Sequence, residues 1–135
     1  MWTTPHDFKP TKRNYLTATF KRQELKRLQT AQAEGQVDRG MYRWLRRVNE
    51  LEGACSLFCC TGHKNNADLY YDGYICVAVD QTTHERLLKA IKPKHRIVRY
   101  PHCDIGSKFR LRWAFYWQPG DKERAMPVVL KWLKG

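Results

Sequence analysis

The stretch Lys108-Phe109-Arg110-Leu111-Arg112-Trp113-Ala114-Phe115-Tyr116-Trp117 decides how the rest of the chain is read. Phe109, Leu111, Trp113, Phe115 and Trp117 occupy alternate positions, so a strand over Lys108 to Trp117 puts five large apolar side chains on one side and Arg110 and Arg112 on the other. A sheet with so apolar a face needs a second layer to cover it.

Downstream, Pro119, Gly120 and Asp121 form a boundary, and Val128 to Lys134 reads as a terminal helix with Pro127 placed at its start, since an uninterrupted helix across Pro127 is costly. Upstream, Pro101 to Gly106 separates the long strand from one around His95 to Tyr100. Thr82 and Glu85 have capping-box spacing, and His84, Leu87, Leu88 and Ile91 mark a helix through about Ala90 that Pro93 closes. Before it come a short strand, Ala54 to Cys60, the turn-rich segment Thr61 to Asn66, and an extended region from Leu69 to Val79 that Asp72-Gly73 bends.

The first 50 residues are of another kind. Leu16 to about Ala33 is an amphipathic helix with Phe20, Leu25, Leu28 and Ala31 on one side and Arg22 and Lys26 opposite. Gly35 is suited to end it. Asp38 can cap a second helix with an apolar stripe of Met41, Trp44, Leu45 and Val48, and Arg39, Arg43, Arg46 and Arg47 face away from that stripe. Residues 1 to 14, with Pro5 and Pro10, read as an irregular arm. The expected architecture is therefore α+β: an arm, then a single basic domain over residues 15 to 135. Two N-terminal helices precede a mainly antiparallel sheet in ββαββα order.

A chain of 135 residues suits one domain, and 42% hydrophobic residues with five Trp exclude wholesale disorder. Lys plus Arg number 25 against 13 Asp plus Glu, a formal charge of +12. That surplus points to an anionic partner, with an acidic protein as the alternative to nucleic acid. No segment reaches the ~20 consecutive apolar residues of a membrane span, and the N-terminal stretch lacks a secretory apolar region, so the cytoplasm is the expected location. The five cysteines, Cys55, Cys59, Cys60, Cys76 and Cys103, lack the spacing of a disulfide framework and read as reduced thiols.

Three chemistries remain open. Arg22, Lys26, Arg39, Arg43, Arg46, Arg47, Lys108, Arg110 and Arg112 can contact phosphate, with Tyr70, Tyr71, Tyr100 and Tyr116 as stacking surfaces for RNA loops or single strands. Solvated helix faces and sheet packing account for the same residues without a partner. Cys60-x2-His63 has metal-ligand spacing, and His102-Cys103 can complete a four-ligand zinc site if the strands bring the pairs together; one or two buried thiols beside a loop histidine is the other reading. A thiol nucleophile activated by His63 or His102 is the third. Cys76 and His84 fall on core-facing patterns. The carboxylate pairs Asp68/Asp72 and Asp121/Glu123 make a weak case for a two-metal site, and no phosphate-binding glycine loop, HExxH or GxSxG is present.

Phe20-Lys21-Arg22, Ala33-Glu34-Gly35-Gln36-Val37-Asp38, Asn49 and Cys60-Thr61-Gly62-His63 jointly resemble the TYW3-like tRNA wybutosine-synthesising methyltransferase family. In that family a Val-Asp turn leads through a helix to Asn and then to a Ser-Ser-Cys-Ser/Ala-Gly-Arg motif. Here Asn49 follows Asp38 by 11 residues and Cys60 follows Asn49 by another 11. Cys60 and Gly62 carry the motif's cysteine and glycine, while Phe58, Cys59 and His63 stand where it has serine, serine and arginine. The resemblance implies methyl transfer from S-adenosylmethionine to a tRNA guanosine derivative, with Cys60, Gly62 and His63 lining the pocket. Taken together, the expectation is an RNA-binding domain acting in tRNA modification, with a tRNA methyltransferase and a non-catalytic interaction module as the alternatives.

Overall fold

Four strands form one antiparallel sheet in the order β1-β4-β6-β5, built from β1 (Ala54–Cys60), β4 (Gly73–Val79), β5 (Arg99–Ile105) and β6 (Leu111–Trp117). A two-stranded ribbon of β2 (His63–Lys64) and β3 (Tyr70–Tyr71) lies between β1 and β4 in sequence. The helices are α1 (Ala18–Ala33), α2 (Tyr42–Glu50), α3 (Gln81–Ala90) and α4 (Lys122–Lys134). The computed structural model describes residues 9–38, 40–60, 63–64, 70–91 and 94–135, and of the side chains within them not those at 60, 63, 64, 70, 71 and 107. Pro93, which the sequence places at the end of α3, lies outside the described residues. The α+β order of two helices followed by ββαββα is the one expected from the sequence.

The period of two along each strand sorts the sheet into two unlike faces. Leu111, Trp113, Phe115 and Trp117 of β6 are fully buried, as are Ile75, Val77 and Val79 of β4. They form one core with Trp44, Leu45 and Val48 of α2, Leu87 of α3 and Ala125, Met126, Val129 and Leu133 of α4. The opposite face carries a smaller cluster at one end, where Phe20 of α1 packs on Cys55 and Ala78. Thus α2, α3 and α4 cover one side of the sheet, and α1 lies on the other side, against the edge strand β1.

Local chemistry fixes the ends of these elements. Thr17 Oγ1 accepts from the Phe20 N–H at 3.2 Å to start α1, and Gly35 at φ +72° ends it, a left-handed position that glycine fills without a Cβ clash. Asp80 Oδ1 accepts from Thr83 N–H at 2.9 Å and caps α3. The expected Thr82–Glu85 box is therefore displaced by a better acceptor two residues earlier. Met41, not Asp38, sits at the N-cap of α2, and Asp38 contributes its backbone carbonyl to the Met41 N–H.

Three further expectations are corrected. The strand expected at His95 to Tyr100 begins at Arg99 and runs through Pro101 to Ile105. His95 Nδ1 accepts from the N–H groups of Ile97 and Val98, at 3.0 and 3.2 Å, which removes them from strand pairing. Pro101 is tolerated because β5 is an edge strand. Phe109 is not part of the core stripe: Lys108 and Phe109 take φ of 58° and 60° in the turn before β6, and Phe109 is 64% exposed. The last helix begins at Lys122 rather than Val128 and encloses Pro127, because Ala125 and Met126 bury on the same stripe as Val129 and Leu133 while Pro127 faces outward.

The described end of the expected arm is fastened to the sheet. Lys12–Asn14 form a 3-10 turn, Asn14 Nδ2 donates to the Phe109 carbonyl at 2.8 Å, and Leu16 N–H donates to the Val79 carbonyl at 3.0 Å. Among the described residues no helix is long and apolar enough to cross a membrane.

Candidate nucleic-acid interface

The register of the sheet places four rings in a row across the face opposite α2 and α4. Tyr74 of β4 pairs directly with Tyr116 of β6, His102 of β5 pairs with Ala114 beside Tyr116, and Phe58 of β1 pairs with Cys76 beside Tyr74. The His102 and Tyr116 rings are stacked at 5.5 Å and 23°. Tyr116 and Tyr74 are 6.0 Å apart, and Tyr74 meets Phe58 edge-on at 6.1 Å. Phe58 is 44% exposed and the other three rings are half-buried. A bulge at Leu57 sets the Phe58 position: Asn49 of α2 accepts from Ser56 N–H at 2.8 Å and donates to Ser56 Oγ at 2.9 Å, and the register shifts over the next residue.

Cations border this row. Arg112 binds Asp104 through both carboxylate oxygens, at 2.6 and 3.1 Å, and its guanidinium lies 5.7 Å from the Phe58 ring centroid. A Cβ on Gly106 would come within 2.7 Å of Arg112 Cδ, so the glycine is what lets Arg112 bed against the turn. Arg110 donates to the Tyr15 carbonyl at 2.7 Å and sits 5.1 Å from the Phe20 ring centroid. Lys108 is exposed, 5.9 Å from the same centroid. Among the described residues no carboxylate forms an ion pair with Lys108 or Arg110. Arg99 stands at the far end of the row, over the exposed Tyr100 ring.

Not all of the cations expected from the sequence meet here. Arg22 and Lys26 are on the exposed side of α1. Arg43, Arg46 and Arg47 are on α2, across the sheet from Arg110 and Arg112. Arg43 is ion-paired with Glu123 of α4, and Arg43 and Arg47 lie over the Trp44 ring at 4.6 and 5.1 Å. The basic set therefore makes two surfaces rather than one. Arg39 lies outside the described residues, as do the side chains of Tyr70 and Tyr71. Sequence alone does not mark Phe58, Tyr74 and His102 as stacking residues, because their alignment with Tyr116 depends on the strand order β1-β4-β6-β5, which pairs residues far apart in sequence.

Of the pocket candidates, Gly62 and the side chains of Cys60 and His63 lie outside the described residues. The backbone of Cys60 pairs with Tyr74 and that of His63 with Tyr71. His102 and Cys103 do not act as a ligand pair: they are neighbours in β5 and face opposite sides of the sheet, Cys103 in the core and His102 on the ring row. Among the described residues no cluster of three His, Cys, Asp or Glu is suited to a metal. His102 Nδ1–H donates to the Tyr100 carbonyl, and burial lowers its pKa against that bond. Burial pushes the Cys55 thiol up to about 11 and those of Cys76 and Cys103 up to about 12, which leaves all three as thiols rather than nucleophilic thiolates. The acidic residues Asp121 and Glu123 are at the start of α4, where the backbone carbonyl of Asp121 accepts from the Arg124 and Ala125 N–H groups, and Asp68 lies outside the described residues.

A cleft runs between α1 and the β1 edge and continues onto the ring face. Its part beside α2 has a volume of about 320 Å³ and its part beside Lys108 and Arg110 about 290 Å³. Glu24, Arg27, Leu57 and Phe58 line both. Glu24 is buried at 7% exposure and its Oε2 is held by Arg27 at 2.7 Å.

No family model matches the sequence, and no curated protein is similar to it at a significant level. Among solved structures the chain is similar to that of the PH1069 protein from Pyrococcus horikoshii, at 12% identity over 86% of each chain with a TM-score of 0.49.

Proposed function

We propose that the protein is an RNA-binding domain that takes unpaired nucleotides across the ring face of its sheet. The observation that carries this reading is the row His102, Tyr116, Tyr74 and Phe58, one ring from each strand, with Arg112 beside it and Lys108 and Arg110 at its margin. Antiparallel four-stranded sheets stack two or three bases on such rings, and each base–ring contact is worth about 1–3 kcal/mol. Neighbouring strands about 4.8 Å apart make the row roughly 14 Å wide, matched to that number of bases. The surplus of Lys and Arg supplies the sequence-independent attraction to phosphate.

Within this reading, the strand register supports a role in tRNA modification. Cys60, where the resemblance to methyltransferases places its motif, is paired with Tyr74, so a base laid on the row reaches the neighbourhood of that segment. The domain then works in the cytoplasm, where thiols such as Cys55, Cys76 and Cys103 stay reduced.

The test is binding of tRNA, an unstructured single-stranded RNA, duplex RNA, single-stranded DNA and heparin at several salt concentrations, with Tyr116→Ala and Tyr74→Ala alongside. Each substitution is expected to weaken single-stranded RNA by about tenfold while duplex binding changes little. Equal affinity for every polyanion, or ring variants that fold and bind RNA as the parent does, overturns the reading in favour of an acidic protein partner. Transfer of a labelled methyl group from S-adenosylmethionine to tRNA, tested in the same samples, separates an enzyme from a binding module.

A further inference from the structure

We propose that the cleft between α1 and the β1 edge is a nucleotide pocket that selects guanine through Glu24. The proposal deepens the RNA-binding reading, since it takes RNA as the source of the nucleotide, and it concerns the cleft at Glu24, which adjoins the ring row and shares Phe58 with it. A carboxylate buried to 7% exposure on a surface helix carries a desolvation cost, and Arg27 offsets it from one side at Oε2. Leu28, Leu57 and Phe58 give the wall beside it apolar surface, Gln36, Asp38 and Ser56 add polar groups to the part beside α2, and the cleft has the volume of a small-ligand site. Such a carboxylate accepts hydrogen bonds and offers none. Among the four bases, guanine alone presents two adjacent donors on one edge, the N1–H and the 2-amino group, matched to the two oxygens of a carboxylate. Adenine and cytosine offer one exocyclic amine beside an acceptor, and uracil one imino group between acceptors, so each sets a lone pair against the buried charge. Phe58, shared between the cleft and the ring row, gives the base a face to lie against.

The phosphate has a place on the same path. Lys108 and Arg110 line the part of the cleft that opens on the ring face, and neither is ion-paired with a carboxylate among the described residues, whereas Arg112 is committed to Asp104. A 5′-nucleotide with its base edge at Glu24 therefore has its phosphate toward Lys108 and Arg110. Both charges of the pocket are used: the anionic end reads the base, and the cationic end holds the phosphate.

The experiment is titration of the full chain, followed by NMR or calorimetry, with GMP, IMP, 1-methyl-GMP, AMP, CMP and UMP, and with Glu24→Gln and Lys108→Ala variants. GMP is expected to bind tightest. IMP, which lacks the 2-amino group, and 1-methyl-GMP, which lacks the N1–H, are each expected to bind about tenfold or more weakly, the usual loss for one hydrogen bond to a charged group. Glu24→Gln is expected to erase the gap between GMP and IMP, and Lys108→Ala to weaken GMP more than guanosine. If Glu24→Gln does not fold, the comparison of GMP with IMP on the unaltered chain still decides. Equal affinity for GMP and IMP means that the carboxylate holds a ribose or no ligand, and it overturns the proposal. Failure here with intact single-stranded RNA binding by the ring row removes the pocket and leaves the RNA-binding reading. Guanine-selective binding by a chain that ignores RNA does the opposite.

Discussion

His84 shows at the scale of one residue what a histidine on an apolar stripe does when it is enclosed. Its Nδ1 accepts from Trp113 Nε1–H at 3.0 Å, and its ring packs beside those of Trp113 and Tyr15. Desolvation lowers its pKa below the ordinary 6.5, against a smaller opposing pull from Glu85. Protonation removes the acceptor that Trp113 needs, so the neutral form belongs to the folded state. The unfolded chain takes up the proton first, near pH 6.5. The stability due to this group is therefore complete above that value and is lost as pH falls through and below it, with a slope of at most about 1.4 kcal/mol per pH unit. His102, whose pKa is also lowered by burial, adds with the same sign. The urea midpoint should fall between pH 7.5 and pH 5.5. His84→Leu should flatten that dependence while costing about 1–3 kcal/mol at pH 7.5, because the Trp113 N–H is left without an acceptor. A midpoint that stays level over this range in the parent protein refutes the assignment. The stripe through His84 and Leu87 is visible in sequence, but Trp113 is 29 residues further on, and only the packing of α3 on β6 brings the two rings together.

At the scale of elements, legibility follows how locally each one is determined. β1 and α1 are almost where the sequence puts them, because an amphipathic helical pattern, Gly35 and the turn-rich Thr61 to Asn66 are local signals. β5 was misplaced because its limits are set by β6 and by a histidine that takes up two backbone donors. The sequence reads α4 too short because an internal proline is costly, and here burial outweighs that cost. Pro127 is the sixth residue of that helix, so the carbonyl of Glu123 loses its i+4 donor. The side chain is exposed and contributes nothing to the core that Ala125, Met126, Val129 and Leu133 build. Pro127→Ala is therefore expected to stabilise the protein by about 1–3 kcal/mol, read from chemical denaturation. A loss of stability instead would mean that the proline fixes the first turns of the helix against α2. In α3, Asp80→Ala should cost about 1 kcal/mol through the lost cap to Thr83. The same change at Thr82, which lacks that role, should cost much less.

At the scale of the whole molecule, the order of elements was readable and the assignment of faces was not. A sequence gives the alternation of Arg110 and Arg112 against Trp113 and Phe115, but it does not say that α2 covers the tryptophan side, which sends Arg46 and Arg47 to the far surface. That separation makes the two basic surfaces distinguishable in solution. A short unstructured RNA lying on the ring row passes Lys108 and has no path to Arg46, which points outward from a helix on the opposite side of the sheet. For single strands, each phosphate neutralised contributes about 0.7 to the slope of log K against log salt. Lys108→Ala should then weaken a short RNA of roughly six nucleotides, within the usual site size for such binding, and reduce the slope by about 0.7. Arg46→Ala should change neither. A folded tRNA is large enough to extend beyond one face, so any contribution of α2 should appear there and not with the short strand. Should Arg46→Ala reduce short-strand affinity and slope as much as Lys108→Ala does, the phosphates run along α2, and the row of rings is sheet packing rather than a place for bases.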